Sequence, residues 1–356
     1  MKVVTVIGNR PQFVKAAAVC GPLRTAHDEL LVHTGQHYDD ELSTIFVEEL
    51  GLPRPDLELG LGGGTNTDQT ARMLGAIGEL LRDERPDAVL VYGDTNSTLA
   101  GALAAAQARV PLAHVEAGMR SFDRAMPEEL NRVLTDHAAD LLLAPSDLAA
   151  ANLAREGVAG DVEVIGDVMV DVAQLVAPRA RAEGAPLIDA GVSAGEYVLA
   201  TAHRAGTVDD PARLGRLVDL LLGLGSPVVL PLHPRTRARL HTAGLMTRLE
   251  SGAIIIRPPL GYVAFTSLLI RARAVVTDSG GVQKEAYLAG VPCVTLRDTT
   301  EWVETVETGW NTLVDLDADA ARAAVRRAAP AARPELYGDG HAGERVAAAM
   351  ARLLPA

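Results

Sequence analysis

The sequence predicts an α/β protein built from two doubly wound, Rossmann-like domains with mostly parallel sheets. Short apolar runs alternate with helical patterns along the whole chain, as buried parallel strands do when crossover helices join them. The 356-residue length suits two domains of ordinary size. A hydrophobic content of 48% with only 3% aromatic residues favours this architecture over an all-β fold.

The first half of the chain provides one set of strands. The predicted strands are residues 2–7, 30–34, 88–92, 112–115, 140–143 and 162–165. Helical patterns separate them, as at residues 99–107 and 128–138. We therefore predict an N-terminal domain over residues 1–168, joined by a C-terminal helix at 342–356.

The second half repeats the alternation. Its predicted strands are residues 196–201, 227–232, 253–256, 274–277 and 293–296, with helices near 211–224 and 262–271. Residues 177–195, rich in Ala, Pro, Arg and Gly, are the least structured in this prediction. The second domain is predicted over residues 169–341, and the two halves are expected to face each other.

Composition narrows the class of partner. A net charge of −13 disfavours nucleic acid and anionic membranes, but a small anionic substrate is compatible with local Arg and His. Cys20 and Cys293 lie far apart in apolar surroundings, which favours a reducing cytoplasm over a disulfide framework. No apolar run approaches the roughly 20 residues that span a bilayer. The first residues lead directly into a strand, so we expect no signal peptide.

Residues 274–296 predict a phosphate-binding turn, on which the functional prediction depends most. A buried strand leads through an Asp-Ser-Gly-Gly turn into a helix predicted to start at Val282. Such a turn aims the helix N–H groups and dipole at one point, where a phosphate binds well. Ser279, Gly280 and Gly281 would hold it, and Glu285 is placed to reach a sugar diol. The alternative is a Gly-rich connection without a ligand.

Polar residues also follow the first-half strands, where ligands gather in parallel sheets. Arg10 and Lys15 come after the first strand, in a sequence that is not GxGxxG, so a phosphate or carboxylate is favoured over a dinucleotide. The alternative is that Pro11 starts a helix and both cations are exposed. Asp94 is either the N-cap of a helix or a catalytic carboxylate.

The densest polar cluster spans residues 114–132. Glu116 lies just past a buried strand, where burial is expected to raise its pKa towards that of a general acid or base. Glu128 lies in the first turn of a predicted helix, where the dipole alone favours an acidic residue.

The second-half strands end in basic residues. These are His203 and Arg204, His233, Arg257 and Arg297. Zinc ligation by the two histidines is an alternative, but there is no HExxH motif and no Cys/His pair at ligand spacing, so we predict no metal. Basic residues near a Gly-Gly turn fit a diphosphate better, because Arg forms bidentate bonds with it.

Together these residues match a known family. The motifs, in chain order, are GNRPQFVK (family pattern GTRPE-x-x-K), GQH, GDTNST, HVEAGMR, PEELNR, AHR, TDSGGVQKEA and RDTTE. Over nearly its whole length the chain resembles the non-hydrolysing UDP-N-acetylglucosamine 2-epimerases, which interconvert UDP-GlcNAc and UDP-ManNAc. The resemblance implies two Rossmann-like domains of the glycosyltransferase-B type, a site in a cleft that closes between them, and a homodimer.

The resemblance also implies a mechanism without a redox cofactor. A base removes the proton at carbon 2 while UDP leaves, and UDP then re-adds to 2-acetamidoglucal with protonation on the opposite face. The implied catalytic residues are Asp94, Glu116 and Glu128, with His203 assisting on the diphosphate side. The implied substrate-binding residues are Arg10, Lys15, His203, Arg204, His233, Arg257, Phe265, Ser279, Gly280, Gly281, Glu285 and Arg297.

Two departures from the family pattern carry predictions. The usual HRRE is His203-Arg204-Ala205-Gly206 here, which lacks an Arg and a Glu. Asp39 and Ser43 stand where bacterial members activated by a second UDP-GlcNAc carry Gln. We therefore predict absent or weak substrate activation, seen as a hyperbolic dependence of rate on UDP-GlcNAc; a sigmoidal one would contradict it.

Several functions remain open. The motifs around residues 120–137 and 297–311 resemble a branch that includes epimerases of UDP-2,3-diacetamido-glucuronic acid, so a modified UDP-GlcNAc in polysaccharide or natural-product assembly is one alternative. A hydrolysing 2-epimerase that releases ManNAc and UDP is another. A glycosyltransferase of the same fold and a non-catalytic nucleotide-sugar sensor are less favoured, because neither explains the three carboxylates.

Overall fold

The computed structural model describes residues 1–36 and 49–353. Contacts divide the chain into two compact units, Met1–Leu175 with Glu335–Ala356, and Val176–Pro334. None of the helices in the described ranges is both long enough and apolar enough to cross a bilayer. His37 of the GQH motif, Asp39 and Ser43 lie outside the described residues, as do residues 354–356 of the predicted final helix.

The first unit is a doubly wound parallel sheet. Its strands are β1 (Lys2–Ile7), β2 (Asp28–His33), β3 (Leu57–Glu58), β4 (Ala88–Tyr92), β5 (Leu112–Val115), β6 (Leu141–Ala144) and β7 (Asp161–Val164). Within the described ranges the order is β3-β2-β1-β4-β5-β6-β7, and every pairing is parallel. The strand order reverses between β1 and β4, so their carboxyl ends flank the crevice where such sheets bind ligands.

Helices cover both faces of this sheet. They are α1 (Arg10–Ala26), α2 (Asn66–Glu84), α3 (Asn96–Ala108), α4 (Pro127–Ala138), α5 (Asp147–Glu156) and α6 (Val168–Ala182). The central strands are fully buried, as apolar strands covered on both faces must be. The helix α3 is buried along most of its length because its Ala- and Gly-rich surface packs closely on the sheet.

The second unit repeats this plan. Its strands are β8 (Val198–Thr201), β9 (Val228–Pro231), β10 (Ile254–Arg257), β11 (Ala274–Thr277), β12 (Cys293–Thr295) and β13 (Asn311–Leu313), in the parallel order β10-β9-β8-β11-β12-β13. Its helices are α7 (Ala185–Ala190), α8 (Ala205–Val208), α9 (Pro211–Gly223), α10 (Pro234–Thr242), α11 (Met246–Glu250), α12 (Tyr262–Leu269), α13 (Gly280–Ala289), α14 (Val303–Glu307) and α15 (Ala318–Arg326). Here the order reverses between β8 and β11. The predicted fold class of two Rossmann-like domains is confirmed.

The last helix, α16 (Ala342–Met350), belongs to the first unit. The Asp171 carboxylate on α6 accepts hydrogen bonds from the first amides of α16, at 3.2 Å from Ala342 and 2.8 Å from Gly343. The Asp167 N–H donates to the Tyr337 carbonyl at 2.8 Å. The start of α6 and residues 335–341 therefore belong to the first unit. The sequence prediction had placed the domain boundaries at 168/169 and 341/342.

Residues 177–195 were predicted to be the least structured, and that prediction was wrong. The end of α6 and all of α7 fall within them. The Ala-rich composition favours helix, and Pro186 lies in the first turn of α7, where proline is tolerated. The prolines and glycines that suggested a loop therefore mark helix ends, although Pro178 lies inside α6.

Candidate active site

The carboxyl ends of β1 and β4 approach each other closely in the first unit. A Cβ atom at Gly8, just after β1, would lie 1.9 Å from the Ser97 Oγ and 2.4 Å from the Thr34 Oγ1. The Gln12 side chain ties the same elements together, accepting from the Gly8 N–H at 2.7 Å and donating to the Tyr92 carbonyl at 2.9 Å. Only glycine fits between these groups, so the loops after β1 and β4 are held in contact.

Lys15 and Glu116 form an ion pair at this edge. Lys15 lies on α1, and Glu116 is the first residue after β5; both side chains are about nine-tenths buried. Glu116 has a left-handed backbone with φ of +72°, which costs about 1–2 kcal/mol for a residue with a Cβ. Non-glycine residues in this conformation concentrate at functional sites. The sequence predicted Glu116 as a strand-end carboxylate, but not its cationic partner.

Asp94 pairs with Arg132 of α4 at 2.5 Å. The same guanidinium contacts the Glu129 carboxylate at 3.0 Å, and the Asn131 amide donates to the Asp94 carbonyl at 2.9 Å. The N-cap of α3 is Thr95, which forms a reciprocal capping box with Thr98. The alternative in which Asp94 caps this helix is therefore wrong, and its carboxylate remains at the sheet edge.

The two ion pairs lie side by side. A Cβ atom at Gly93 would be 3.0 Å from the Lys15 Nζ and 3.2 Å from the Glu116 Oε2. Asp94, the next residue, therefore neighbours the Lys15–Glu116 pair. We call Lys15, Asp94, Glu116 and Arg132 the carboxylate cluster.

Two further predicted residues of the first unit lie on helix starts. Glu128 is half-buried in the first turn of α4, and within residues 1–36 and 49–353 its side chain has no hydrogen bond or ion pair. Its neighbour Glu129 is buried and accepts bonds from the amides of Ser121 and Phe122 at 2.9 Å. Burial alone would raise the pKa of Glu129, but these bonds and the Arg132 charge hold its pKa below the ordinary value. Arg10, half-buried, opens α1.

In the second unit the predicted phosphate turn is the start of α13. The helix begins at Gly280, not at Val282 as predicted, with Ser279 as its N-cap. The Ser279 side chain accepts no capping bond, and no acidic residue lies in the first turn. Gly281 is exposed, and a Cβ atom there would have nothing closer than 3.9 Å. The helix start thus presents its amide groups and positive dipole end, and its own first turn carries no acidic residue.

The buried Asp278 carboxylate orders the loop after β8. It accepts from the backbone N–H of His203 at 3.0 Å and of Arg204 at 2.9 Å. The His203 ring stacks on His233, with ring centroids 5.3 Å apart. The His233 Nδ1 accepts from the Arg235 N–H at 3.1 Å, so a neutral ring would carry its proton on Nε2.

Glu301 connects the other basic residues to the turn. It pairs with Arg297 at 2.8 Å and with Arg204 at 3.6 Å. A Cβ atom at Gly280 would lie 2.4 Å from the Glu301 Oε1, so this carboxylate lies against the start of α13. We call His203, Arg204, His233 and Arg297 the cationic cluster.

Three predicted binding residues have contacts that do not involve the cationic cluster. Arg257 donates to the Asp189 carbonyl of α7 at 3.2 Å. Phe265 is buried in an apolar cluster of the second unit. Glu285 accepts from the Tyr262 hydroxyl at 3.1 Å. Sequence reasoning did not assign Asp278, Glu301 and Arg132, although all three lie inside or beside the quoted motifs.

The described residues offer no obvious metal centre. Across residues 1–36 and 49–353, no three His, Cys, Asp or Glu side chains are grouped as metal ligands.

Comparisons with known proteins agree with this geometry. A family model described as UDP-N-acetylglucosamine 2-epimerase matches residues 23–351. The chain belongs to this family. The predicted family and the predicted isomerase class are thereby confirmed.

Individual relatives cover the chain almost completely. The chain is 46% identical to a UDP-2,3-diacetamido-2,3-dideoxy-D-glucuronate 2-epimerase of Pseudomonas aeruginosa, over 99% of this chain and 100% of that protein. It is 41% identical to a UDP-N-acetylglucosamine 2-epimerase of Methanocaldococcus jannaschii, over 97% and 98%. A crystal structure of the M. jannaschii enzyme in complex with UDP-GlcNAc and UDP superposes with a TM-score of 0.93 and 39% identity, covering 99% of this chain and 100% of that one.

Proposed function

We propose that the protein inverts carbon 2 of a UDP-N-acetylhexosamine, converting UDP-GlcNAc to UDP-ManNAc and back. The observation that carries this proposal is the Lys15–Glu116 pair beside Asp94, at the switch point of the first sheet, in a chain of the 2-epimerase family.

The reaction needs two opposite proton transfers at one carbon. A carboxylate takes the C2 proton while the C1–oxygen bond to UDP breaks, which forms the C1=C2 bond of 2-acetamidoglucal, and UDP stays bound. A second acid then delivers a proton to the other face of C2 while a UDP oxygen rebinds C1. No net oxidation occurs: carbon 2 loses one proton to the base and gains another from the opposite acid, and the electron pair that leaves with UDP re-forms the C1–oxygen bond.

The first unit supplies the groups for proton transfer in this proposal. Glu116, Asp94 and Glu128 are the acid and base groups. The sequence assigned Lys15 to the phosphates, but its contact with Glu116 supports a different role. An adjacent ammonium favours an ionised carboxylate, which is the form that a base requires.

The second unit supplies the groups for the leaving diphosphate. The start of α13, with Ser279, Gly280 and Gly281, provides amides and a positive dipole end. Arg204 and Arg297 add positive charge as the phosphate oxygen leaves, the stacked His203 and His233 rings add N–H donors, and His203 assists that departure. Glu285 is proposed for the ribose hydroxyls; Arg10, Arg257 and Phe265 complete the predicted binding set.

A second candidate substrate is UDP-2,3-diacetamido-glucuronic acid. The P. aeruginosa relative named for that substrate is 46% identical to this chain, more than the 41% of the M. jannaschii UDP-GlcNAc enzyme. The chemistry at carbon 2 is the same for both substrates, so the carboxylate cluster does not distinguish them.

Proton NMR of the purified protein in deuterated water tests the proposal. With UDP-GlcNAc we expect UDP-ManNAc to appear, with deuterium at carbon 2 of both sugars. Reaction only with the diacetamido-uronic acid would establish the second candidate, and free UDP with ManNAc would identify a hydrolysing enzyme. No reaction with either sugar would refute the proposal.

We also propose that the enzyme acts in the cytoplasm as a homodimer. Its two cysteines are buried, and neither forms a disulfide. Burial raises the pKa of Cys20 well above its ordinary value and that of Cys293 to about 12, so neither thiol is reactive. The dimer rests on the family resemblance; sedimentation at the monomer mass of 37.4 kDa would contradict it.

A further inference from the structure

A buried charged network lies beneath the carboxylate cluster. His114 of β5 and Asp136 of α4 are fully buried and bond through Nδ1 and Oδ1 at 2.7 Å. Arg120 contacts the other Asp136 oxygen at 2.7 Å and forms a bidentate pair with Glu156 at 2.7 and 2.8 Å. Two positive and two negative groups balance if His114 is charged, as buried ions require.

The hydrogen bonds of His114 determine its proton count. Its Nε2 faces the Gly93 carbonyl at 2.8 Å, and a carbonyl can only accept. Its Nδ1 faces Asp136. The other oxygen of this carboxylate contacts the Arg120 guanidinium at 2.7 Å and accepts from the Gly118 N–H at 3.1 Å, and both groups favour the ionised form of Asp136, which can only accept. Both ring nitrogens therefore face acceptors, and both must donate.

The same network joins the two catalytic turns. Through Gly93, His114 holds the backbone next to Asp94. Along the chain, His114 lies two residues before Glu116, and the Asp136 carboxylate accepts from the Gly118 N–H, two residues after Glu116, at 3.1 Å. The strained residue is thus fixed on both sides. Gly118 itself has φ of +81°, and a Cβ there would lie 2.3 Å from the Ala149 carbonyl oxygen.

We propose that His114 is a positioning residue, protonated on both ring nitrogens, that couples the Asp94 turn to the Glu116 turn. This inference rests on the proposed function, because it assigns the two turns to one reaction. His114 touches neither substrate nor the proton that moves. It sets the distance between two groups whose misplacement by about 1 Å can cost roughly a hundredfold in rate.

Two substitutions of His114 remove one hydrogen bond of the ring at a time. His114→Gln extends an amide donor to about the place of Nε2, so the Gly93 bond can be kept while the Asp136 bond is lost. His114→Asn places its donor near Nδ1 and cannot reach Gly93. We expect kcat to fall about tenfold in the first variant and about a hundredfold in the second, with KM and UDP-binding stoichiometry unchanged.

A purely structural role gives a different pattern. Both variants would then lose UDP-binding sites in proportion to activity, and kcat per UDP-binding site would equal that of the wild type; this result would overturn the proposal. The matched control is His27→Asn, which removes a similar 2.8 Å bond from a histidine Nε2 to the Ala347 carbonyl, and it should leave kcat unchanged.

Nitrogen-15 NMR of the wild-type protein is independent of whether the variants fold. We expect His114, assigned through its backbone, to show two protonated ring nitrogens at neutral pH. One unprotonated nitrogen would overturn the proposal. If the wild type reacts with neither UDP sugar, the proposed function fails, and the nitrogen spectrum still decides the state of His114.

Discussion

The carboxyl edges of the two sheets have the same topology and opposite chemistry. In the first unit the exposed partner of a pair is the acid: the Asp94 side chain is 28% exposed and Arg132 beneath it is 6% exposed. In the second unit the exposed partner is the base: Arg204 is 27% exposed and Glu301 beneath it is 4% exposed. His203 above the fully buried Asp278 repeats the second arrangement.

The exposed charge is thus negative at the first sheet edge and positive at the second, although both edges have the same topology. The switch point fixes where the side chains emerge, and the buried member of each of these three pairs fixes the charge of the group presented there, whereas Lys15 and Glu116 are buried to about the same extent. In the proposed function, the carboxylate above a buried cation moves protons, and the basic side chains above a buried acid bind phosphate. The comparison predicts that changes in the first unit lower kcat and changes in the second weaken UDP binding.

The largest effect is expected from Glu116→Gln. Loss of a general acid or base lowers kcat by about 10²- to 10⁴-fold, while UDP affinity should stay near the wild-type value. Steady-state kinetics and calorimetric UDP titration measure the two quantities. Glu84→Gln is the matched control, since Glu84 pairs with Lys2 at 2.7 Å near the opposite end of β1. Loss of both turnover and UDP binding would identify Glu116 as structural.

A smaller effect is expected from Lys15→Met. The lost charge-assisted bond to Glu116 is worth about 2 kcal/mol, so kcat should fall about 30-fold with little change in the UDP dissociation constant. Lys2→Met provides the control for removal of a lysine from a Lys–Glu pair. If UDP binding weakens instead of kcat, Lys15 is a phosphate ligand, as the sequence first indicated.

In the second unit, Gly281→Ala should weaken UDP binding about tenfold, or about 1.4 kcal/mol. The added methyl group meets no protein atom closer than 3.9 Å, so it crowds the ligand and not the fold. Gly280→Ala is the contrasting variant, because its methyl group collides with Glu301 and should lower the melting temperature. Unchanged UDP affinity in Gly281→Ala would show that the phosphate does not bind at this turn.

The smallest effect concerns acid stability. The lowered pKa of Glu129 and of Asp136 gives the first unit stability that is present above their ordinary pKa of about 4 and is lost as pH falls below it. Burial raises the pKa of Asp171, so its protonation opposes this loss in part. In the second unit, Asp209 and Asp315 also have lowered pKa values, but their pairs with arginine are solvent-screened and contribute little.

Both tryptophans, Trp302 and Trp310, lie in the second unit, so their fluorescence reports that unit alone. During acid titration we expect far-UV circular dichroism to change at a higher pH than tryptophan emission. Coincident transitions would mean that the two units unfold together.

Much of the fold was readable because buried parallel strands are apolar runs bounded by turns. The predicted residues 2–7, 88–92, 112–115 and 274–277 are strands with those bounds in the structure. Strand β13 was missed because Asn311 and Thr312 leave it without an apolar run. Helices α6 and α7 were missed because proline and glycine at or near helix ends have the composition of a loop.

Site chemistry was less readable than the fold. Single residues after strands could be identified, because a carboxylate such as Glu116 has no role in a buried strand. Their partners could not, since Lys15 and Glu116 are 101 residues apart and Asp94 and Arg132 are 38 apart. Such pairs depend on which strands become neighbours in the sheet, and the sequence alone does not give the strand order.

The left-handed backbone at Glu116 has a consequence for protein engineering. Glycine adopts this conformation without penalty, and an apolar residue at position 15 would spare the chain a buried ammonium. A library screened only for thermal resistance would therefore accumulate glycine at 116 and an apolar side chain at 15, and its most heat-resistant members would be catalytically dead. In the proposed function, glutamate at this position therefore provides turnover at the expense of stability.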